Sequence, residues 1–392
     1  MRSRSCRGGC GEDRDQLLPD LRGVGDRRHR AGDGAGRGGD EVHVLSYALP
    51  SRLSLVDPRI FFHEVVAAHY PLFEYPPWSL ALASKMVDVF HHHRLDVLHA
   101  HYALPNAVSA VLAKQILAPR PVPVVTTLHG TDVTLIGNDP SYLATTRWGV
   151  LESDAVTAVS ESLCRATLEQ LCLGDKPVEV VPNFIDPRRY EAARHLPGAR
   201  RWARPGERLL VHISNFRPVK RLLDVVEVFA RVATRLPARL LLVGDGPERA
   251  RAEQRCRERQ LGDRVVFLGN FPAIEEVLVG ADLFLLPSES ESFGLSALEA
   301  LSCAVPVVAS RAGGLPEVVA EGENGFLLPV GDVDGMAAAA LSLLADPERH
   351  RRFAEHGRQW AVTRFDEASV VARYREVYAR AIAAAHRREG RG

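Results

Sequence analysis

Short apolar runs alternate with helix-length stretches along most of this chain, in two series separated by a polar segment. The first series reads as strands at Glu41–Tyr47, Asp96–Ala100, Val122–Leu128, Ala155–Val159 and Val178–Pro182, with helices at Pro77–His92 and Asn106–Leu117. The second reads as strands at Leu209–Ser214, Leu240–Val243, Val265–Gly269, around Phe284, around Val307, and at Gly325–Leu328. Leu222, Val225, Val226, Phe229 and Val232 recur at helical spacing and mark the core face of the helix after Leu209–Ser214. Strands that alternate with helices build parallel, doubly wound sheets. The Arg-rich stretch Asp186–Glu207, with Pro187, Pro197 and Pro205, reads as a linker. The expected organisation is therefore an N-terminal domain over 41–185, a linker over 186–207 and a C-terminal domain over 208–364. An Ala- and Arg-rich helix over 365–392 closes the chain, and ligands are expected in the cleft between the domains.

Composition narrows the function. With 49 basic and 49 acidic residues, no global field favours nucleic acid or an anionic membrane. No apolar run reaches the length of about 20 residues that spans a bilayer, and no signal-peptide core is evident at the N-terminus. Cys6, Cys10, Cys164, Cys172, Cys256 and Cys303 lack metal-ligand spacing and read as free thiols of a cytoplasmic protein. His91, His92 and His93 invite a metal reading, but consecutive helical residues point in different directions, so a solvated face is expected.

The chemistry concentrates in Ser288-Glu289-Ser290-Glu291-Ser292-Phe293-Gly294-Leu295-Ser296-Ala297-Leu298-Glu299-Ala300. The apolar run before it places Glu291 in a strand-to-helix loop. Glu299 follows eight residues on, about two helical turns, so both carboxylates can face one side. Gly294 lets the backbone approach a ligand at a helix N-terminus, a natural phosphate seat. Arg217 and Lys220, after the first strand of the second series, place two cations beyond the carboxyl end of that strand, where doubly wound sheets bind ligands. His129 ends a strand at the expected cleft. The turn Gly244-Asp245-Gly246-Pro247 is open to a structural or a binding role.

These motifs, with Leu128 to Tyr142 and Ala309 to Glu317, resemble the retaining, nucleotide-sugar-dependent glycosyltransferases of family 4, from about Glu41 onward. The resemblance implies a GT-B fold: α/β, with two doubly wound Rossmann-like domains facing across a cleft. The His129-Gly130-Thr131-Asp132 segment is most similar to members of bacillithiol biosynthesis that move N-acetylglucosamine from UDP-GlcNAc to L-malate. Acceptors such as inositol phosphate or a lipid-linked glycan stay open, as does an inactive UDP-sugar-binding protein.

The resemblance also implies roles. Glu299 holds the uridine ribose, Glu291 the donor sugar, and Phe293, Gly294 and Leu295 lie along the donor, with the amides of Gly294 and Leu295 on the diphosphate. Lys220 and Arg217 meet the phosphates; many relatives carry Arg where this chain has Asn215. His129 contacts the donor sugar and, with Glu291 and Lys220, forms the catalytic set. Tyr102, Thr131 and Arg147 are the acceptor candidates, a guanidinium plus hydroxyls suiting a dicarboxylate. Asn183 lines the hinge. No cofactor and no metal are expected; the partners are the two small substrates and, as an option, a second copy of the chain.

The resemblance further implies a strand, a Gly-rich loop and a long helix ahead of Glu41. Residues 1–39 carry Arg- and Gly-rich text without such a strand, so that unit is expected to be disrupted, by disorder or by translation out of frame until near Gly39. Sequencing the gene for a shift that restores an apolar strand and helix tests the idea.

Overall fold

The computed structural model describes residues 40–50, 58–69, 74–134, 139–194 and 200–389. Residues 1–39, on which the disrupted N-terminus was read, lie outside the described residues, as do Leu135 to Asn138 of the His-Gly-Thr-Asp segment.

The N-terminal part begins with the parallel pair β1 (Val42–Ser46) and β2 (Ile60–Glu64), followed by α1 (Trp78–His93). Then come β3 (Leu98–His101), α2 (Val108–Leu117), β4 (Val124–Leu128), α3 (Thr131–Thr134), α4 (Leu143–Glu152), β5 (Ala155–Ala158), α5 (Glu161–Leu171) and β6 (Glu179–Val180). Strands β3 to β6 form one parallel sheet in sequence order. Among the described residues β1–β2 is a separate pair. Strand β2 was not foreseen, because Ile60-Phe61-Phe62-His63-Glu64 follows turn-like text and is short.

Helix α6 (Pro187–Arg194) lies within the stretch read as linker. The C-terminal part carries β7 (Arg208–Ile213), α7 (Leu222–Val232), β8 (Ala238–Val243), α8 (Arg249–Glu258), β9 (Val265–Gly269), α9 (Ile274–Leu278) and β10 (Leu283–Leu286). It continues through α10 (Leu295–Ser302), β11 (Val307–Ser310), α11 (Leu315–Val318), β12 (Gly325–Leu328), α12 (Val333–Leu344) and α13 (Pro347–Arg364), and ends in α14 (Glu367–Glu389). Its six-stranded sheet runs β12-β11-β10-β7-β8-β9, the doubly wound order with its switch point between β7 and β10.

Local chemistry sets these elements. The α7 residues expected to face the core, Leu222, Val225, Val226, Phe229 and Val232, are all fully buried. Ser160 caps α5 by accepting the Leu163 amide, and Asp346 caps α13 ahead of Pro347. The chain crosses back at Phe365: Ile185 donates its amide to Phe365 O, and Glu367 donates to Ile185 O. Helix α14 then lies on the N-terminal sheet, burying Val370, Val371, Tyr374, Val377 and Tyr378 with Val125, Val181 and Phe184. The two domains are thus tied by the crossing chain as well as by the segment at 186–207.

Candidate active site at the interdomain cleft

The loops after β7 and β10 meet at the switch point, where the diverging connections leave a crevice. Arg217 precedes a short 3₁₀ turn, Pro218–Lys220, and Glu289 donates its amide to Val219 O at 2.8 Å. That joins the two loops and brings Lys220 Nζ to 2.8 Å from Glu291 Oε2. Both side chains are mostly shielded, 14% and 13% exposed, so the attraction is weakly screened. The glycines of the neighbouring loops permit this crowding. A Cβ on Gly246, at φ 154°, would stand 2.1 Å from Asn215 O, and one on Gly313, at φ 54°, would stand 2.0 Å from Glu291 O. The turn at Gly244–Gly246 therefore packs against the backbone of the loop that carries Arg217 and Lys220.

Glu291 lies in the loop and Glu299 inside α10. Gly294, at φ 98°, caps α10, and Leu295 is its first residue. Phe293 turns inward: it is buried and packs edge-on against Phe365, so its side chain fixes the loop. Glu299 is buried, and Tyr190 donates its hydroxyl to Glu299 Oε1 at 3.2 Å. Tyr190 belongs to α6, and a two-pronged Arg189–Glu275 pair holds that helix to α9. Sequence reading missed Tyr190; the one signal was an aromatic residue placed after Pro187 in otherwise charged text.

On the N-terminal side His129 follows β4. Asp132 organises the loop: its buried carboxylate accepts the amides of Ala103, Gly130 and His129. Burial raises the Asp132 pKa, and those amides pull against it. The His129 ring lies 4.8 Å from that of Tyr102, and its Nε2 lies 2.9 Å from His101 Nδ1. Burial, then the neighbouring His101, holds His129 well below the usual histidine range. Burial takes His101 to about 4. Both rings are therefore neutral near pH 7. His101 Nε2 is buried with no partner among the described residues. Behind them, Tyr378 of α14 lies 2.6 Å from His99 Nδ1.

Of the acceptor candidates, Tyr102 and Thr131 stand with His129, and Tyr102 holds a positive φ of 75°. Arg147 is exposed on α4 with no hydrogen bond or ion pair among the described residues, so the structure does not join it to them. Asn183 is half-buried after β6.

The two faces touch directly. Ser160 donates its hydroxyl to Ser292 O at 2.6 Å. Glu317, from α11, accepts the amides of Glu161 and Ser162, both at 2.9 Å, at the N-terminus of α5. A cation beside a carboxylate, a helix N-terminus and a neutral histidine across the gap can hold an anionic leaving group against a polyhydroxyl ring.

The family Glycosyl transferases group 1 matches residues 200–360, and Glycosyltransferase Family 4 matches residues 23–189. The chain is 46% identical over 341 residues to the N-acetyl-alpha-D-glucosaminyl L-malate synthase of Bacillus anthracis, covering 87% of this chain and 89% of that one. This chain belongs to the family-4 glycosyltransferases. Among solved structures, sucrose-phosphate synthase from Thermosynechococcus elongatus superposes with a TM-score of 0.72 at 24% identity, covering 88% of this chain and 90% of that one. Anabaena Alr3699/HepE in complex with UDP-glucose superposes with a TM-score of 0.71 at 22% identity, covering 87% and 91%. The fold is the GT-B glycosyltransferase fold, with two Rossmann-like domains, and the chain is a glycosyltransferase. No described helix is long and apolar enough to cross a membrane.

Proposed function

We propose that this chain transfers N-acetylglucosamine from UDP-GlcNAc to the hydroxyl of L-malate, with retention at the anomeric carbon and without a metal ion. The observation that carries the reading is the 46% identity to the Bacillus anthracis L-malate synthase over 87% of this chain. Relatives that use other acceptors match less well: the Streptomyces kanamyceticus 2-deoxystreptamine glucosyltransferase is 27% identical over 74% of the chain. The other-acceptor and inactive readings are correspondingly not favoured.

In the reaction the bond from the anomeric carbon to the β-phosphate oxygen breaks, and the malate hydroxyl oxygen bonds to that carbon on the same face. The hydroxyl proton passes to the departing β-phosphate oxygen, and UDP leaves. Lys220, with Arg217, neutralises charge on the diphosphate while the amides of Gly294 and Leu295 point at it. Glu291 accepts sugar hydroxyls, and its pairing with Lys220 holds both side chains in place. Glu299 takes the ribose hydroxyls, steadied by Tyr190. Neutral His129 donates to or accepts from the donor sugar, and Tyr102 and Thr131 flank the acceptor. Arg147, exposed on α4, is the guanidinium read to meet the malate carboxylates. The same reading has the reaction in the cytoplasm.

The test is incubation of the full chain with UDP-GlcNAc and L-malate, first without added metal, following UDP release, product mass and the anomeric proton coupling. Malate-dependent UDP release with an α-linked product supports the reading. UDP release that does not depend on malate sinks it.

A further inference from the structure

Three histidines distant in sequence meet on one face of the β1–β2 pair. Parallel register sets His43 beside Phe61 and Leu45 beside His63, so His43 and His63 share a face. The last turn of α1 brings His93 over it, with its ring centroid 4.2 Å from that of His43 and 5.6 Å from that of His63. His43 Nδ1 and His63 Nε2 are 2.8 Å apart. One ligand-capable nitrogen from each ring lies within 4.8 Å of the other two, and this is the one such group among the described residues.

Behind the cluster, His43 Nε2 lies 2.9 Å from Glu41 Oε1. A carboxylate there accepts a hydrogen bond from Nε2–H, and that tautomer leaves the Nδ1 lone pair facing the other two rings. A proton shared between His43 and His63 would satisfy those two alone. It would leave His93, which has no hydrogen bond among the described residues, tilted against them with nothing to bind. The neighbours of His93 go elsewhere: His92 Nδ1 lies 2.8 Å from Asp88 O, and His91 Nδ1 lies 3.4 Å from Arg120. The divergence expected of consecutive histidines holds, and it delivers one of the three to this cluster.

We propose that His43, His63 and His93 bind a divalent transition ion of the zinc class, with Glu41 orienting His43 from outside the ligand set. Imidazole nitrogens suit zinc, cobalt, nickel and copper. Tetrahedral zinc, at about 2.0–2.1 Å from each nitrogen, spaces its ligands about 3.3 Å apart, so small ring rotations close the site. A carboxylate on the far nitrogen of a ligand histidine is the usual outer support. Exposed His93 leaves the fourth position open to water. The ligands come from β1, β2 and the end of α1, whereas the cleft is built from Lys220, Glu291, Glu299 and His129. The ion therefore fastens α1 to the β1–β2 pair and takes no part in sugar transfer.

The test uses the full chain, treated with chelator and then titrated with Co²⁺ alone while the visible spectrum is recorded. The expected result is one Co²⁺ per chain, the d–d bands of a four-coordinate nitrogen and oxygen site, no thiolate charge-transfer band, and displacement by Zn²⁺. His93→Gln, at an exposed helix end, weakens binding at least about tenfold, and Glu41→Gln weakens it by a similar factor. His92→Gln leaves it unchanged. Zn²⁺ raises the melting temperature of the wild type but not of His93→Gln. Absence of binding at millimolar ion, a thiolate band, or equal affinity in wild type and His93→Gln overturns the proposal.

Discussion

Gly130 sits so close to Ser292 across the cleft that a Cβ added to it would stand 2.6 Å from Ser292 Cβ. Its φ of 119° is one that side chains rarely adopt, so two independent constraints demand glycine. Gly130→Ala must therefore shift the His129 loop or part the domains. We expect kcat/KM to fall at least about tenfold, equivalent to ~1.4 kcal/mol. Adding Ser292→Gly relieves the contact but not the backbone, so the double variant recovers part of the loss. A Gly130→Ala enzyme with wild-type kcat/KM would show that the close approach is irrelevant to turnover.

The Lys220–Glu291 pair, at 2.8 Å, lies where diphosphate and donor sugar are read to meet. Lys220→Met removes leaving-group stabilisation and leaves Glu291 without its cation. The expected loss in kcat is about 10²- to 10³-fold, the range seen when one charge-stabilising donor is removed. Because the groups act as a unit, adding Glu291→Gln costs far less than the two single losses combined. Steady-state kinetics on the four proteins measures this, and full additivity would argue against a coupled role.

Tyr190→Phe removes the hydroxyl that donates to Glu299 and keeps the ring. A single hydrogen bond is worth about 0.5–1.5 kcal/mol, so UDP affinity by calorimetry should weaken about 2- to 12-fold with kcat little changed. Unaltered affinity would mean that the Tyr190 contact does not position Glu299 for the nucleotide.

Glu317 acts as a cap lent by one domain to a helix of the other. Glu317→Ala deprives the α5 N-terminus of a carboxylate and removes two interdomain hydrogen bonds. The closed arrangement should weaken by about 1 kcal/mol. Small-angle scattering should then report a larger radius of gyration for the variant. An unchanged profile would assign the closure to other contacts.

His212 is fully buried on β7, with Nδ1 2.8 Å from Leu285 O and Nε2 2.7 Å from Ser214 Oγ. Burial lowers its pKa to about 4, against 6.5 for the free side chain. The unfolded chain thus takes up a proton below pH 6.5 that the folded chain refuses until near pH 4. Stability from this site is complete above pH 6.5 and falls as pH drops from 6.5 to 4, by about 3 kcal/mol at the lower end. His212→Asn should lower stability at pH 7 but flatten the decline across that window in urea unfolding. Parallel declines would refute the assignment.

The sequence by itself determined the doubly wound architecture and the loops on which the candidate site residues stand. Short apolar runs alternating with helix-length stretches read as parallel strands between helices, and α7 shows its core face in plain periodicity. Glu291, Lys220, Gly294 and Glu299 were legible because each sits a short, fixed distance from such a strand, and the sheet order then brings their loops together. Tertiary structure alone decided what depends on remote contacts. Tyr190 lay in charged text with no periodic signal, and only the docking of α6 carries it to Glu299. Phe293, adjacent to the site in sequence, was claimed by the core against Phe365. Glu317 gained a partner because the domains close on each other. His93 is exposed, as expected, but it also meets His43 and His63 through the pairing of β1 with β2, a strand too short to announce itself. Local pattern records which face of an element is buried, but the neighbour that buries it is chosen by chain segments tens to hundreds of residues away.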